Sequence, residues 1–371
     1  IAAATLLAPG VTDNGPGGNI MISGAMSYEN LFLINGVVVN ENLRGQARNV
    51  FIEDAVQETK ISTGSISAEF GRFQGGVVNV VTKSGSNDFA GTGRISFVND
   101  AWSALSPFPG DGNIDATVPT YEVTAGGPVF RDRLWYFGAG RFEKNEDNRT
   151  TDYTGFNYTR VDDEKRYELK GTYSPFAGHT LKAAYTRRQA EIANNNFGTI
   201  MDARSLYDSS NKENLYSANY AAALTGDWFV EGQYSRRELS FLGTGGSETD
   251  LANGTPIWDR SRGQARFNAP TFCQVCGSGV EIRNNWNTAV KATRFLSTER
   301  AGSHTFVAGA DLYQETRQND NYQSGSSYRV QATRSVIQGL DIFPGFLSDN
   351  TTYVEYLPLV LAVGDVLRLA E

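Results

Sequence analysis

From about residue 87 onward the chain repeats one pattern: segments of ten or so residues in which apolar and polar side chains alternate strictly. Tyr167, Leu169, Gly171 and Tyr173 fall on one side, with Glu168, Lys170, Thr172 and Ser174 on the other. The same period of two runs through Tyr216, Ala218, Tyr220, Ala222 and Leu224, through Trp228, Val230, Gly232 and Tyr234, and through Phe306, Ala308, Ala310 and Leu312. Successive side chains of a strand point to opposite faces, so this period specifies strands with one greasy and one wet side. Nine such strands are predicted, at about 89–99, 121–129, 133–144, 165–174, 180–190, 215–224, 228–241, 286–296 and 305–314. They are too many and too long for an ordinary globular sheet, whose strands run about five or six residues.

The linkers between them alternate in length. Long ones at 100–120, 145–164, 191–214 and 242–285 are separated by short ones at 130–132, 175–179, 225–227 and 297–304. Every long linker therefore falls at one end of the sheet, the pattern of a transmembrane barrel with tight turns at one rim and long loops at the other. A soluble sandwich has no physical reason for it. No run of about 18 apolar residues occurs, which excludes a spanning helix and says nothing against spanning strands. For the same reason the negative mean hydropathy does not exclude the membrane.

Lipid exposure sets a test. A Lys or Arg facing the bilayer midplane costs roughly 2–4 kcal/mol, and the apolar sides of 167–173 and 306–312 carry none. Arg187, Arg236 and Arg294 continue the apolar register near strand ends, which places them at a rim, where the cost falls to about zero to one. Trp135, Tyr136, Phe137 and Trp228 suit interfacial girdles, with ordinary core aromatics as the alternative.

Residues 1–86 have another texture. Gly, Asn and Ala dominate the first 30. The run Leu-Phe-Leu-Ile-Asn-Gly-Val-Val-Val from Leu31 predicts two short strands turned at Asn35-Gly36. Residues 50–63 suit a short helix running into a strand. Gly71, Gly75 and Gly76 precede a β-branched strand at 77–82, buried on both faces by its composition. The whole reads as a compact α/β piece.

The net charge of −8 and the lack of a basic stripe argue against a nucleic-acid partner. No catalytic constellation is visible, so no enzyme is expected and no cofactor is implied; His179 and His304 read as rim residues. The carboxylates at Asp162-Asp163-Glu164 and the polar runs at 194–196 and 318–321 read as solvated loops, with calcium or a polar ligand as the lesser alternative. Cys273-Gln-Val-Cys276 is a single CxxC without a second pair and far from either histidine, weak evidence for zinc. A small disulfide in an exported loop, a metal site and free thiols stay open there, the first preferred. No Gly-Lys-Ser/Thr follows the glycines, so no phosphate loop is expected.

Two blocks carry a family resemblance. Tyr28-Glu-Asn-Leu-Phe-Leu-Ile-Asn-Gly-Val37 and Ser67-Ala-Glu-Phe-Gly-Arg-Phe-Gln-Gly-Gly-Val-Val-Asn-Val-Val-Thr-Lys-Ser-Gly85 resemble the plug domain of TonB-dependent receptors. Gly126-Gly-Pro-Val-Phe-Arg-Asp-Arg-Leu-Trp-Tyr-Phe137 resembles the first periplasmic turn of their Oar-like subgroup. The resemblance is strong to about residue 145 and one of texture beyond. It implies a mainly β chain: the C-terminal part of an α/β plug domain over 1–86, then the N-terminal portion of an antiparallel transmembrane barrel over 87–371, in the bacterial outer membrane. It further implies energy-coupled import of an unidentified solute, outer-membrane lipid around the barrel, and contact with the TonB complex through an upstream segment outside this chain, with any export signal also upstream. Asn35, Gly36, Glu69, Gly71, Arg72, Gly75 and Gly76 are the plug-motif candidates. Glu69 and Arg72 are candidates to pair with barrel-wall charges, or Arg72 to satisfy local carbonyls. The family usually has Asp-Gly where Asn35-Gly36 stands, which leaves an ion-pair role there in question. A structural or adhesive outer-membrane protein and an exported β-sandwich enzyme are the rival readings.

Overall fold

The computed structural model describes residues 5–15, 19–41, 51–67, 70–71, 73–104, 115–196, 198–242, 248–270, 280–298, 302–318, 324–332, 335–337 and 340–342. After a small hairpin, β1 (Val11–Gly15) with β2 (Asn19–Ile22), comes a four-stranded sheet. Its members are β3 (Leu31–Ile34), β4 (Val37–Val38), β5 (Val56–Ser62) and β6 (Val77–Thr82), in the order β4-β3-β6-β5. β3 and β6 are parallel and the other pairs antiparallel.

Sequence dictates this local structure. Asn35 and Gly36 have φ of 52° and 81°, the left-handed pair that a two-residue hairpin turn needs and that Asn-Gly tolerates best. The helix expected within 50–63 is one 3-10 turn, Glu53–Ala55, leading directly into β5. β6 is central, and its Val77, Val78 and Val80 are buried, as a strand that is β-branched at every position but Asn79 requires. Ile22, Phe32, Ile34, Val37, Val39 and Phe51 complete the core on one side of this sheet, and Leu215 of the large sheet joins them.

The large sheet is a nine-stranded antiparallel meander. Its strands are β7 (Ala90–Asn99), β8 (Thr117–Phe130), β9 (Leu134–Thr150), β10 (Asn157–Tyr173), β11 (His179–Asn195), β12 (Tyr207–Ala223), β13 (Trp228–Leu242), β16 (Glu281–Thr298) and β17 (Gly302–Gln318). Between β13 and β16, β14 (Ile257–Asp259) and β15 (Ala265–Phe267) join β18 (Val330–Ala332) in a separate three-stranded sheet at the long-loop end. Met201, Ile257, Ala265, Phe267 and Ala332 form that sheet's own core. A last hairpin pairs β19 (Ser335–Ile337) with β20 (Leu340–Ile342).

All nine predicted strands are present, but several run further than predicted toward the long-loop end. β9 and β10 pair continuously from Leu134↔Tyr173 to Thr150↔Asn157, so the connection read as 145–164 shrinks to 151–156. The physical reason is that residues 145–150 and 157–164 are polar but for Tyr158 and Val161, which are three apart and so fall on opposite faces, leaving no alternation to detect.

Burial in this sheet is inverted relative to a water-soluble protein. On β10, Glu168 is 1% exposed whereas its neighbour Leu169 is 62% exposed. Arg237, Glu213, Glu122 and Arg166 are buried, while Val290, Tyr234, Tyr216 and Val123 are exposed. One face thus packs polar groups inward against the four-stranded sheet and the other presents apolar groups outward. No helix among the described residues is long and apolar enough to cross a membrane, which says nothing of strands.

The aromatic run at 134–137 splits between the faces. Tyr136 is outward and 40% exposed, but Phe137 is buried against Ile52 and Ala55. Phe137 is a core aromatic and not a girdle residue. Adjacent apolar residues on both faces hide the period there.

Candidate functional site: the interface between the small sheet and the wall

The inner face of the nine-stranded wall holds the four-stranded sheet through wall side chains that donate to its backbone. Lys170 Nζ reaches Thr82 O at 2.9 Å, Lys83 O at 3.1 Å and Asn35 Oδ1 at 3.3 Å. Thr82 Oγ1 donates to Glu168 Oε1 at 2.5 Å while accepting from Asn35 Nδ2 at 3.0 Å. Glu168 and Lys170 both face inward because they are two residues apart on β10. Three further wall groups bind carbonyls: Arg166 Nη1 to Phe51 O at 2.9 Å, Gln233 Nε2 to Gly36 O at 3.0 Å and Arg237 Nη1 to Asn40 O at 2.7 Å.

Charge pairs back these donors. Arg237 Nε meets Glu213 Oε1 at 2.6 Å with both side chains fully buried. Arg283 joins Glu41 of the small-sheet segment to Glu281 of β16, the latter at 2.7 Å. On the opposite flank Arg94 bridges Glu122 to Asp54, 3.2 Å away, and Glu53, 3.4 Å away. Each cation has at least one carboxylate, and Lys170, Arg166 and Arg237 have a carbonyl as well, the condition under which charge is tolerated in an interior.

The motif candidates divide. Asn35 and Gly36 sit in the interface itself. Asn35 Oδ1 also accepts from Thr82 N at 3.0 Å, so the amide accepts beside Lys170 as a carboxylate could, and through Nδ2 it also donates to Thr82, as a carboxylate could not. Gly75 and Gly76 lie at the other end of β6, in close packing: a Cβ on Gly75 would overlap Asn30 Oδ1, and one on Gly76 would meet Ile22 Cγ2 at 2.5 Å. Among the described residues nothing lies within 4 Å of where a Cβ on Gly71 would stand, and none of them requires glycine there. Glu69, Arg72, Cys273 and Cys276 lie outside the described residues. Sequence reasoning marked Glu168, Lys170 and Gln233 only as members of a polar face and missed Arg166, Arg237, Glu213, Arg283 and Glu41. The one available signal was their inward register.

Four substitutions at three positions test this geometry. Asn35→Ala loses two hydrogen bonds to Thr82 and places a Cβ residue without a polar side chain at positive φ, so stability falls by about 2 kcal/mol. Asn35→Asp keeps the acceptor and falls by half of that or less. Gly75→Ala costs roughly 1–3 kcal/mol through overpacking, against about 0.5 or less for Gly71→Ala. Denaturant unfolding in lipid vesicles reads all four.

At the long-loop end, Asp202 accepts from Arg204 N at 3.0 Å and Asn268 N at 3.3 Å, tying two loops together; burial pushes its carboxyl above the usual range. Trp258 lies between Arg266 and Arg329, with their guanidinium carbons 4.9 and 4.1 Å from the ring centroid. Burial holds both guanidinium groups below their ordinary value. Among the described residues no group of three His, Cys, Asp or Glu is placed to hold a metal ion.

Over 170 residues, 43% of the chain, the sequence is 34% identical to the TonB-dependent transporter Oar of Myxococcus xanthus. The fold is similar to the outer membrane transporter YddB from Escherichia coli, with a TM-score of 0.61 and 14% identity over 87% of this chain and 45% of that one. The chain thus resembles a TonB-dependent transporter over part of its length and shares the outer-membrane receptor fold, a small sheet against the wall of a partial barrel. The siderophore receptor PirA from Acinetobacter baumannii (TM-score 0.57, 13% identity, 84% of this chain and 44% of that) shares this fold. So does a variant of the ferric enterobactin receptor PfeA from Pseudomonas aeruginosa (0.56, 16%, 85% and 46%). No family model matches the sequence. The chain spans less than half the length of these receptors, and its match covers 15% of the Oar transporter. The proteins it resembles are transporters and receptors, YddB among them an outer membrane transporter. The inverted burial of its wall is what a lipid surround requires.

Proposed function

We propose that this chain is the C-terminal part of the plug (1–86) and the first wall strands (87–371) of an importer, in which the plug blocks the lumen until energy delivered through the TonB complex moves it. The observation that carries this reading is the chemistry of the plug–wall interface. Wall cations hold plug carbonyls and carboxylates, and water can take over each of those partners when the plug shifts. An apolar seal of similar extent would resist parting, at about 25 cal/mol per Å² exposed. A cavity of about 1100 Å³ already lies between plug and wall, bordered by Asn35, Lys170, Lys182, Asn219, Glu231 and Lys291. Asn35 and Gly36 serve in this reading as the plug's contact with Lys170 and Gln233, and Gly75 and Gly76 as close-packing positions that hold β6.

The solute is unassigned, since residues of the lumen and loops select it and differ freely on a shared scaffold. The folded sheet β14-β15-β18 in the long loops favours one second reading, a displayed adhesive surface. Uptake of candidate solutes by cells with and without the inner-membrane energy system separates the two. Import that disappears when the energy system is removed supports the first, and surface binding that persists unchanged with no import contradicts it.

A further inference from the structure

The segment that leads out of the small sheet is fastened to the wall at the short-turn end. Thr82 ends β6, and the next residue is held twice by the small sheet: Lys83 N donates to Ala55 O and its Nζ to Asp54 O, each at 2.7 Å. The chain then runs close over β8 and β9, where a Cβ on Gly85 would overlap Tyr136 O and stand 3.0 Å from Gly127 O. Asn87 meets the turn that joins those two strands. Its Oδ1 accepts from Asp132 N at 2.9 Å and from Trp135 Nε1 at 2.7 Å, and its Nδ2 donates to Asp132 Oδ1 at 2.5 Å. The Phe89 ring lies against Gly127, and β7 begins at Ala90.

Each side of this contact specifies the other. Two N–H groups converge on one oxygen while a carboxylate oxygen faces the nitrogen, so only an amide in one orientation satisfies all three. The turn that receives Asn87 is itself fixed. Asp132 has φ of 62°, Arg133 N donates to Phe130 O at 3.2 Å, and Arg133 O accepts from Ser174 N of the next short turn at 2.7 Å. We infer that Asn87, Asp132 and Trp135 form a clasp that limits how far the last plug strand travels during import. The four residue steps from Lys83 to Asn87 span at most about 14 Å. With Asn87 fastened, Thr82 stays within that reach of the rim, and β6 can pivot at the wall but cannot be drawn away from it until the clasp opens. The block from Gly126 to Phe137, which the plug–wall interface leaves largely unused, thereby gains a task as the receiving side of the clasp. The inference rests on the reading of 1–86 as part of a plug that moves.

Pulsed electron-resonance distances between nitroxides at Ser84 and Arg131, measured on the full-length receptor in lipid vesicles, test the clasp in three versions. Asn87→Asp removes the donor and sets two carboxylates against each other. Adding Asp132→Asn returns a donor from the other side and restores all three bonds with the two side chains' roles exchanged, and asparagine tolerates the left-handed backbone there. The distance should be narrow in the wild type and in the double variant, and broader by several ångström in Asn87→Asp, the slack that the freed segment 84–89 allows. In planar bilayers with urea, Asn87→Asp should conduct for roughly tenfold more of the time than the other two, as the loss of one or two hydrogen bonds allows. Equal widths and equal conductance in all three, each inserted, would overturn the clasp, and so would a broadening that the second substitution leaves unrepaired. A wild type that conducts freely without urea would overturn the plug reading and with it the clasp's task in import, while the distance widths would still report the fastening itself.

Discussion

Replacing Arg237 with Met lowers the unfolding free energy of the full-length protein by about 3–5 kcal/mol, the cost of leaving one member of a buried ion pair without its partner. Glu213 then stands fully buried opposite a thioether, and Asn40 O loses its 2.7 Å donor. The double variant Arg237→Met, Glu213→Gln removes both charges and recovers most of the loss, because a buried neutral amide is far less costly than a buried carboxylate. Denaturant unfolding in lipid vesicles provides both values. A single-variant loss under about 1 kcal/mol, the range of exposed pairs, would mean that the plug does not cover this part of the wall.

Leu169→Arg should destabilise the protein by roughly 2–4 kcal/mol in a bilayer, since the side chain projects outward at the level of the hydrocarbon. Leu169 is 62% exposed, and an exposed leucine on a soluble protein would tolerate the same change within about 0.5 kcal/mol. Gln189→Arg is the matched control. It is outward too, but four residues beyond Tyr185 toward the long-loop end, and should cost about zero to one. Refolding yield into vesicles, read by heat-dependent gel mobility, separates the two positions. Equal yields would mean that no hydrocarbon faces Leu169.

The nine strands were legible because lipid on one side and polar contacts on the other force a period of two, as at Tyr167 through Tyr173. Beyond Phe142 and Tyr167 toward the long-loop end both faces meet polar surroundings, so the outer ends of β9 and β10 left no trace. Phe137 was misplaced for the opposite reason, since Trp135, Tyr136 and Phe137 are aromatic on both faces. The hairpin at Asn35-Gly36 was readable because positive φ at two successive positions restricts residue type. The plug–wall interface was not, because its acceptors are backbone carbonyls, which every residue has. Lys170 meets Thr82 across 88 positions and Arg237 meets Asn40 across 197. Nothing in the local sequence of either strand names its partner. The three-residue strands β14, β15 and β18 were likewise too short to show a period.

Nitroxide labels placed one at a time along β11 from Leu181 to Thr186, in full-length protein reconstituted into bilayers, test the inverted wall most directly. Labels at Leu181, Ala183 and Tyr185 should relax with oxygen dissolved among acyl chains and be shielded from a water-soluble nickel chelate, while those at Lys182, Ala184 and Thr186 should not see the acyl phase. Nickel reaching Leu181 and Ala183 as freely as an exposed loop would contradict the account, because the apolar face would then be facing water.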